Sequence, residues 1–373
     1  MARSVSSRRP ATLAALAAEL GVSRTTVSNA YNRPDQLSSE LRERVLETAW
    51  RLGYPGPDPV ARSLRTRQAG AVGLLLTEAL AYAFLDPVAI RFLEGLAMAC
   101  GEAGQGLLLV PARPRVDGRE TAAAVHRAGV DGFVIYSVPD DDPNVAAVLR
   151  RPLPTVICDQ PHIDGVDHVG IDDRAAMATL GGYLIELGHR RIGVVCMRLG
   201  RDRHDGLVDL RRQRRARFHV QRARLAGLAD AFGAVVDWGA VPVVERFDHT
   251  MASGASATSE LLDRDSGLTA IVCMSDLLAL GALAEIRRHG LRVPEDFTVT
   301  GFDGVPDAER AGLTTVSQPV LEKGRVAGRL LLTRVRPDRL QPHRRAVTLS
   351  TTLVVGSTSG LARPAERSWF TGW

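Results

Sequence analysis

Lysine is all but missing from this chain: Lys323 stands alone among 47 Lys and Arg residues. Arginine supplies nearly all the positive charge, so any basic stretch must first be weighed against a merely arginine-rich, solvated surface. Cysteine is scarce too. Cys100, Cys158, Cys196 and Cys273 are far apart in apolar surroundings, with no CxxC pair and no Cys/His cluster. That offers no disulfide framework and no metal site; buried thiols of a cytosolic protein are the expectation. No apolar run reaches the roughly 18–20 residues that span a bilayer, so no membrane partner is expected. Walker A, GxGxxG after a strand, GxSxG and HExxH are all lacking. No catalytic residue, enzyme activity or cofactor is therefore expected.

What is present is the composition of a soluble globular protein: 373 residues, 45% hydrophobic and 24% charged. That length implies two or three domains. The N-terminus, MARSVSSRRPATLAALAAELG, begins basic and turns apolar in the manner of a signal peptide. Glu19 interrupts the apolar stretch, however, and the Ala and Leu residues fall on a helical stripe. A folded helix is the better reading, which makes the protein cytoplasmic. The charge is localised. Residues 1–67 hold eleven Arg against six Asp and Glu, a net of +5 that equals the net charge of the whole chain. A basic N-terminal module on a neutral body fits a unit that contacts phosphates.

Three helices fit the first 53 residues. Thr12 can cap one running to Leu20, and Gly21 ends it. Ser23 can cap a second that buries Val27 and Ala30, and Pro34 closes that segment. Ser38 or Ser39 starts a third, with Leu41, Val45, Leu46, Ala49 and Leu52 on one face and Gly53 at its end. Helix, glycine turn, short polar helix and supporting helix are the plan of a helix-turn-helix DNA-binding unit. The outward face of the second helix offers Arg24, Thr25, Ser28 and Asn29. Arg can address guanine, Asn adenine and the Thr methyl thymine. A three-helix interaction module with a polar face is the competing reading. Next comes YPGPDPVARSLRTR, residues 54–67, Pro-rich and then briefly helical from Pro59 to about Leu64. So short a helix is marginal alone, and Leu64 is a natural wedge for a minor groove.

GVSRTTVSNAYN, LSSELRERVLETAWRLGY and PVARSLRT, in that order, resemble the N-terminus of the lactose/galactose-repressor (LacI/GalR) family of transcription regulators. The resemblance implies a helix-turn-helix head, a hinge helix and a periplasmic-binding-protein-like effector domain. It assigns base reading to Arg24, Thr25 and Asn29, and hinge positions to Val60, Ala61 and Leu64, with Leu64 intercalating. Asn29 departs from the Arg of many members, and PGP after Tyr54 is one residue longer than usual.

From Ala69 onward short apolar strands alternate with helical patterns, as in parallel sheets covered on both faces. Strands are expected at 71–77, 106–112, 132–138, 155–160, 191–197, 242–247, 270–275 and 298–303. Helices are expected at 87–104, 118–129, 174–187, 222–232, 251–263 and 276–289. Two such runs predict two αβ subdomains with a cleft between them, and ligands bind at the carboxyl ends of such strands. The DDD at 140–142 reads as solvated loop acids rather than a cation site. The resemblance continues through VGIDDRAAMATLGGYLIELGHRRIGVV, CMSDLLALGALAEIRRHGLRVPEDFTVTGFDG and LTTVSQP. It implies a cleft lined by Asp172, Arg224 and Asp276, with Phe84 and His249 where relatives often place a ring. Helix capping competes for Asp276, a surface position for Arg224, and pairing with Arg174 or Arg190 for Asp172. One connection, residues 198–224, is about ten residues longer than usual for the family and holds ten Arg against three Asp. A lid, a site favouring an anionic ligand and a solvated, mobile loop all fit it.

The fold class expected is therefore multidomain. An all-α head (1–56) and hinge (57–68) precede an α/β effector and dimerisation domain (69–360) of two doubly wound parallel-sheet subdomains. These take residues 69–173 plus 304–333 and 174–303 plus 334–360, and a loosely ordered tail (361–373) follows. The function expected is that of a sequence-specific repressor bound to double-stranded, near-palindromic DNA. A small-molecule effector, a sugar or sugar derivative, would control it, with a homodimer as the working unit and a tetramer left open. An exported sugar-binding protein without a DNA role and an α/β enzyme are the rivals.

Overall fold

The Thr12 hydroxyl accepts a hydrogen bond from the Ala15 amide at 3.2 Å and so opens α1 (Leu13–Leu20). Gly21, at φ 68°, ends it in the left-handed conformation that favours glycine. Ser23 caps α2 (Arg24–Asn32) through the Thr26 amide, and Ser38 caps α3 (Ser39–Leu52) through that of Leu41. Leu16, Ala17, Val27, Ala30, Val45 and Ala49 form the small core that the three helices share. Pro34 does more than close α2: it begins a 3-10 turn, Pro34–Gln36. The computed structural model describes residues 11–57, 66, 68–76, 83–111, 122–335 and 344–363. The hinge positions Val60, Ala61 and Leu64, and the tail from residue 364, lie outside the described residues.

The chain divides at residues 69 and 70 into this head and a larger α/β unit. In the larger unit β1 (Ala71–Leu76), β2 (Gly106–Pro111), β3 (Gly132–Tyr136), β4 (Thr155–Cys158) and β5 (Asp167–Ile171) pair in parallel in the order β5–β4–β3–β1–β2. A second sheet runs β11–β10–β9–β6–β8–β7. Its strands are β6 (Ile192–Met197), β7 (Gly206–Leu207), β8 (Val243–Arg246), β9 (Ala270–Cys273), β10 (Thr298–Asp303) and β11 (Thr314–Ser317). All of these pairings are parallel except that of β7 with β8. The chain then returns to both sheets. β12 (Ala346–Leu349) lies parallel beside β5, and β13 (Thr352–Val354) antiparallel beside β11.

The principal helices are α4 (Pro87–Glu102), α5 (Asp173–Glu186), α6 (His219–Phe232), α7 (Met251–Arg264), α8 (Asp276–Arg288) and α9 (Val320–Val335). They pack in pairs whose backbones touch at glycine. A Cβ on Gly324 of α9 would lie 2.2 Å from the Phe92 carbonyl oxygen of α4, and one on Gly281 of α8 2.0 Å from that of Met251 in α7.

The sequence predicts the last two crossings between subdomains near residues 304 and 334. The structure puts them at 318–319 and 350–351. β11 completes the second sheet before the chain leaves it, and α9 covers the first sheet before β12 joins its edge. Of the helix expected at 118–129, the described residues hold Ala123–Arg127. The long basic connection is built rather than open: it contains β7, the short helix Leu210–Arg214 and the first turn of α6.

Candidate functional site

In the head, Arg24 and Thr25 stand exposed on the first turn of α2, opposite the buried Val27 and Ala30. The Ser23 cap holds this turn, so both side chains leave a fixed helix end. Ser28 and Asn29 are half-buried and already bonded. The Asn29 side-chain amide donates to Gln36 Oε1 at 3.2 Å, and Asn32 Nδ2 donates to Ser28 Oγ at 3.1 Å. Gln36, on the 3-10 turn, was not singled out from the sequence. A polar residue shortly after Pro34 was the signal available.

In the larger unit a cavity of about 650 Å³ lies between the two sheets. Its polar wall comes from the carboxyl ends of strands: Ser137 after β3, Asp159 and Gln160 after β4, Arg198 after β6, His249 after β8, Asp303 ending β10 and Gln318 after β11. Five aspartates border it, Asp86, Asp142, Asp159, Asp248 and Asp303, against Arg198, Arg201 and Arg224. The apolar wall includes Leu76, Met197, Phe218, Phe247 and Tyr136, whose ring stacks on Phe92 at 3.8 Å.

Arg224 is the most constrained of these side chains. Its Nε donates to Asp173 Oδ1 at 2.8 Å and its Nη1 to the Met274 carbonyl at 2.7 Å. Nη1 also lies 3.7 Å from Asp303 Oδ1, and the guanidinium carbon sits 3.5 Å above the Phe302 ring centre. Burial pushes the Asp303 carboxyl well above the usual range, against the pull of Arg224. Asp303 also has φ 122°, unusual for a residue with a side chain, while Gln318 donates to its Oδ1 at 2.7 Å. Strain of this kind persists where surrounding structure fixes it, and functional sites concentrate it. His249 shares a 2.6 Å hydrogen bond with Ser275, the cap of α8, and burial holds its imidazole below the ordinary histidine range. Arg198 lies over Phe218 and Phe247, at 5.0 and 5.5 Å from the ring centres. Beneath the cavity, Lys323 Nζ binds Asp159 Oδ1 at 2.6 Å. Burial is the largest influence and pulls the ammonium down, but Asp159, Cys158 and Asp173 together outweigh it and the Lys323 pKa ends raised.

A family model described as a periplasmic binding protein-like domain matches residues 182–359. An HTH-type transcriptional regulator of Mycobacterium tuberculosis is 55% identical over 95% of this chain and 98% of its own length. A solved LacI-family transcriptional regulator from Corynebacterium glutamicum is 41% identical, covering 95% of this chain and all of that one with a TM-score of 0.72. The chain belongs to the LacI/GalR family of transcriptional regulators. The regulator CelR, solved as a complex with cellobiose, is similar at 29% identity, 94% and 100% coverage and a TM-score of 0.66. These relatives match along nearly the whole chain and are regulators, not enzymes.

Of the five cleft residues that the LacI/GalR resemblance implied, the cavity brings together two, Arg224 and His249. Asp172 caps α5 through the Ala175 amide at 2.9 Å and is exposed; its neighbour Asp173 is the one that meets Arg224. Arg174 and Arg190, the alternative partners, bind Asp230 and the carbonyls of Ile185 and His189. Asp276 is fully buried behind the cavity. It accepts from the Val305 amide at 2.9 Å and the Thr315 hydroxyl at 2.6 Å, and burial pushes its pKa up to about 6. Phe84 is 57% exposed, while Ala83 and Asp86 on either side of it border the cavity. Among the described residues no His, Cys, Asp and Glu cluster could hold a metal ion, and no helix is long and apolar enough to cross a membrane.

Proposed function

We propose that this regulator is a repressor whose operator affinity is set by a small polyhydroxylated effector, a sugar or sugar derivative, held in the 650 Å³ cavity. The observation that carries this reading is Arg224. It is fixed from three sides at the carboxyl ends of β9 and β10, with a planar donor fork beside Asp303 and near His249. Paired donors and carboxylates around apolar rings suit a ligand with many hydroxyls and a hydrophobic ring face. That the related regulator CelR is solved as a complex with cellobiose supports a carbohydrate as the class of effector. In this reading Asp276 works from behind, steadying the Gly304–Val305 turn that follows Asp303.

Arg24, Thr25 and Asn29 read bases, and Ser28 contacts DNA from the same polar face. Val60, Ala61 and Leu64 form the hinge, and two copies bind a near-palindromic operator. Repression by occupancy needs nothing beyond that binding. The effector acts by favouring one of two arrangements of the subdomains, and the coupling to DNA is reciprocal. The test is a mobility-shift titration of the full-length protein on DNA upstream of its own gene, across a salt series and a panel of sugars. Salt-sensitive, sequence-specific binding that one sugar shifts is the expected result. Sugar binding without duplex binding would leave the sugar-binding rival in place, and duplex binding that no ligand alters would remove the effector claim.

A further inference from the structure

The arginine-rich connection from β6 to α6 is anchored on its own subdomain. Glu245, fully buried on β8, accepts from Arg212 Nε at 2.6 Å, from Arg212 Nη2 at 3.0 Å and from the Leu199 amide at 2.9 Å. The same connection also reaches across to the other subdomain, to the loop that follows β3. The Asp140 amide donates to the Arg217 carbonyl at 2.7 Å, and Arg222 Nη2 donates to Asp140 Oδ2 at 3.0 Å. Arg217 Nε lies 3.6 Å from Asp141 Oδ2, and Arg201 Nη1 donates to the Asp141 carbonyl at 3.4 Å. The neighbouring residues Pro139, Asp142, Arg201, Phe218 and Val220 border the cavity, so these bonds lie along its rim.

The two ends of the connection differ in burial. The anchor acid is fully buried, whereas the crossing pairs are partly open, with side chains 35% and 31% exposed for Arg222–Asp140 and 61% and 43% for Arg217–Asp141. Salt screens partly exposed pairs far more than buried ones. We propose that residues 198–222 form an electrostatic clasp, fixed at Glu245 and latched on Asp140 and Asp141, that holds the cleft shut. Opening of the rim is then salt-dependent. Its consequence for effector entry and exit rests on the function proposed above; the latch itself does not.

Hydrogen exchange on the full-length protein, without effector or DNA, reads the latch at the Asp140 amide, whose acceptor is Arg217 across the cleft. Between about 0.05 M and about 1 M KCl the Asp140 amide should exchange roughly three-fold faster or more. Interior amides such as those of Val134 in β3 and Val194 in β6 should hold. Asp140→Asn with Asp141→Asn should reproduce the acceleration at low salt and abolish its salt dependence. Equal protection of Asp140 in wild type at both salts, or in wild type and variant, would overturn the clasp. If the variant loses protection throughout both sheets, the wild-type salt series alone decides. A sugar panel that fails to shift DNA binding would count against the proposed function and leave this result standing.

Discussion

Asp276 sits in the first turn of α8 with one carboxylate oxygen on the Thr315 hydroxyl and the other on the Val305 amide. Thr315 belongs to β11 and Val305 to the turn after β10, so a single acid ties the start of one helix to two strand ends. Removing it strands two buried donors, at a cost of about 1–3 kcal/mol for each. Asp276→Ala is therefore expected to lower the thermal midpoint by several degrees, and Asp276→Asn, which keeps an acceptor, by less; thermal unfolding by circular dichroism checks both. The identity of Asp276 as a special residue was legible in the sequence, since it follows a strand and opens a helix. What its carboxylate faces was not, because Thr315 lies 39 positions away and meets it only once β11 is in place. The same holds for Asp172 and Asp173. Sequence offers two adjacent acids before a helix, and only the helix phase decides which one caps and which turns inward to Arg224. Asp159 and Asp303 go unnamed at the level of sequence, although both stand at the carboxyl ends of strands, where ligands are expected.

At the scale of elements, the helix pairs meet backbone to backbone. Gly95 faces the Leu321 carbonyl and Gly324 the Phe92 carbonyl, so α4 and α9 approach each other where each lacks a side chain. The neighbour in each case is main chain, which cannot swing aside as a flexible side chain would. Gly324→Ala should force the helices apart and cost at least about 1–3 kcal/mol, the range of ordinary overpacking. Chemical denaturation of the larger unit measures this, and a change within error would show that α9 shifts freely over α4. Strands such as AVGLLL and AIVC are readable as continuous apolar runs. DHVGI of β5 and TTVS of β11 are not, because their charged and hydroxyl residues break that pattern. In the structure Asp167 of β5 is paired with Arg334 at 2.9 Å, and Thr314 with Ser359 at 2.7 Å. Partners supplied from the far end of the chain make these sequences compatible with burial.

Across the whole larger unit, three imidazoles bring the subdomains together. His162 and His168, from the first subdomain, have ring centres 4.3 Å apart, and His219, which opens α6 in the second, lies 4.0 Å from His162. Burial, then the neighbouring charges of His162 and Arg222, pushes His219 down to about 4, and burial likewise lowers His168. Facing groups that oppose this are Asp140 for His219 and the Asp159 carbonyl for His168. The folded protein thus favours the neutral forms of His219 and His168, while an unfolded histidine titrates near 6.5. The contribution to stability is complete above about pH 6.5 and is lost as pH falls toward about 4, because the unfolded chain takes up the proton first. Thermal midpoints should fall across that window, and His219→Gln should flatten the fall; an unchanged slope in the variant would place the acid sensitivity elsewhere.

The pairing of Lys323 with Asp159 has a practical consequence. With one lysine in the sequence, an amine-directed acylating reagent has two targets, the α-amino group and a side chain that is 1% exposed with its nitrogen bound to a carboxylate. Acylation of Lys323 should be negligible in the native protein and rise only as α9 separates from β4. Mass-spectrometric labelling against denaturant would therefore give this regulator a built-in, single-residue reporter of unfolding in its first subdomain, with no residue introduced and no dye attached.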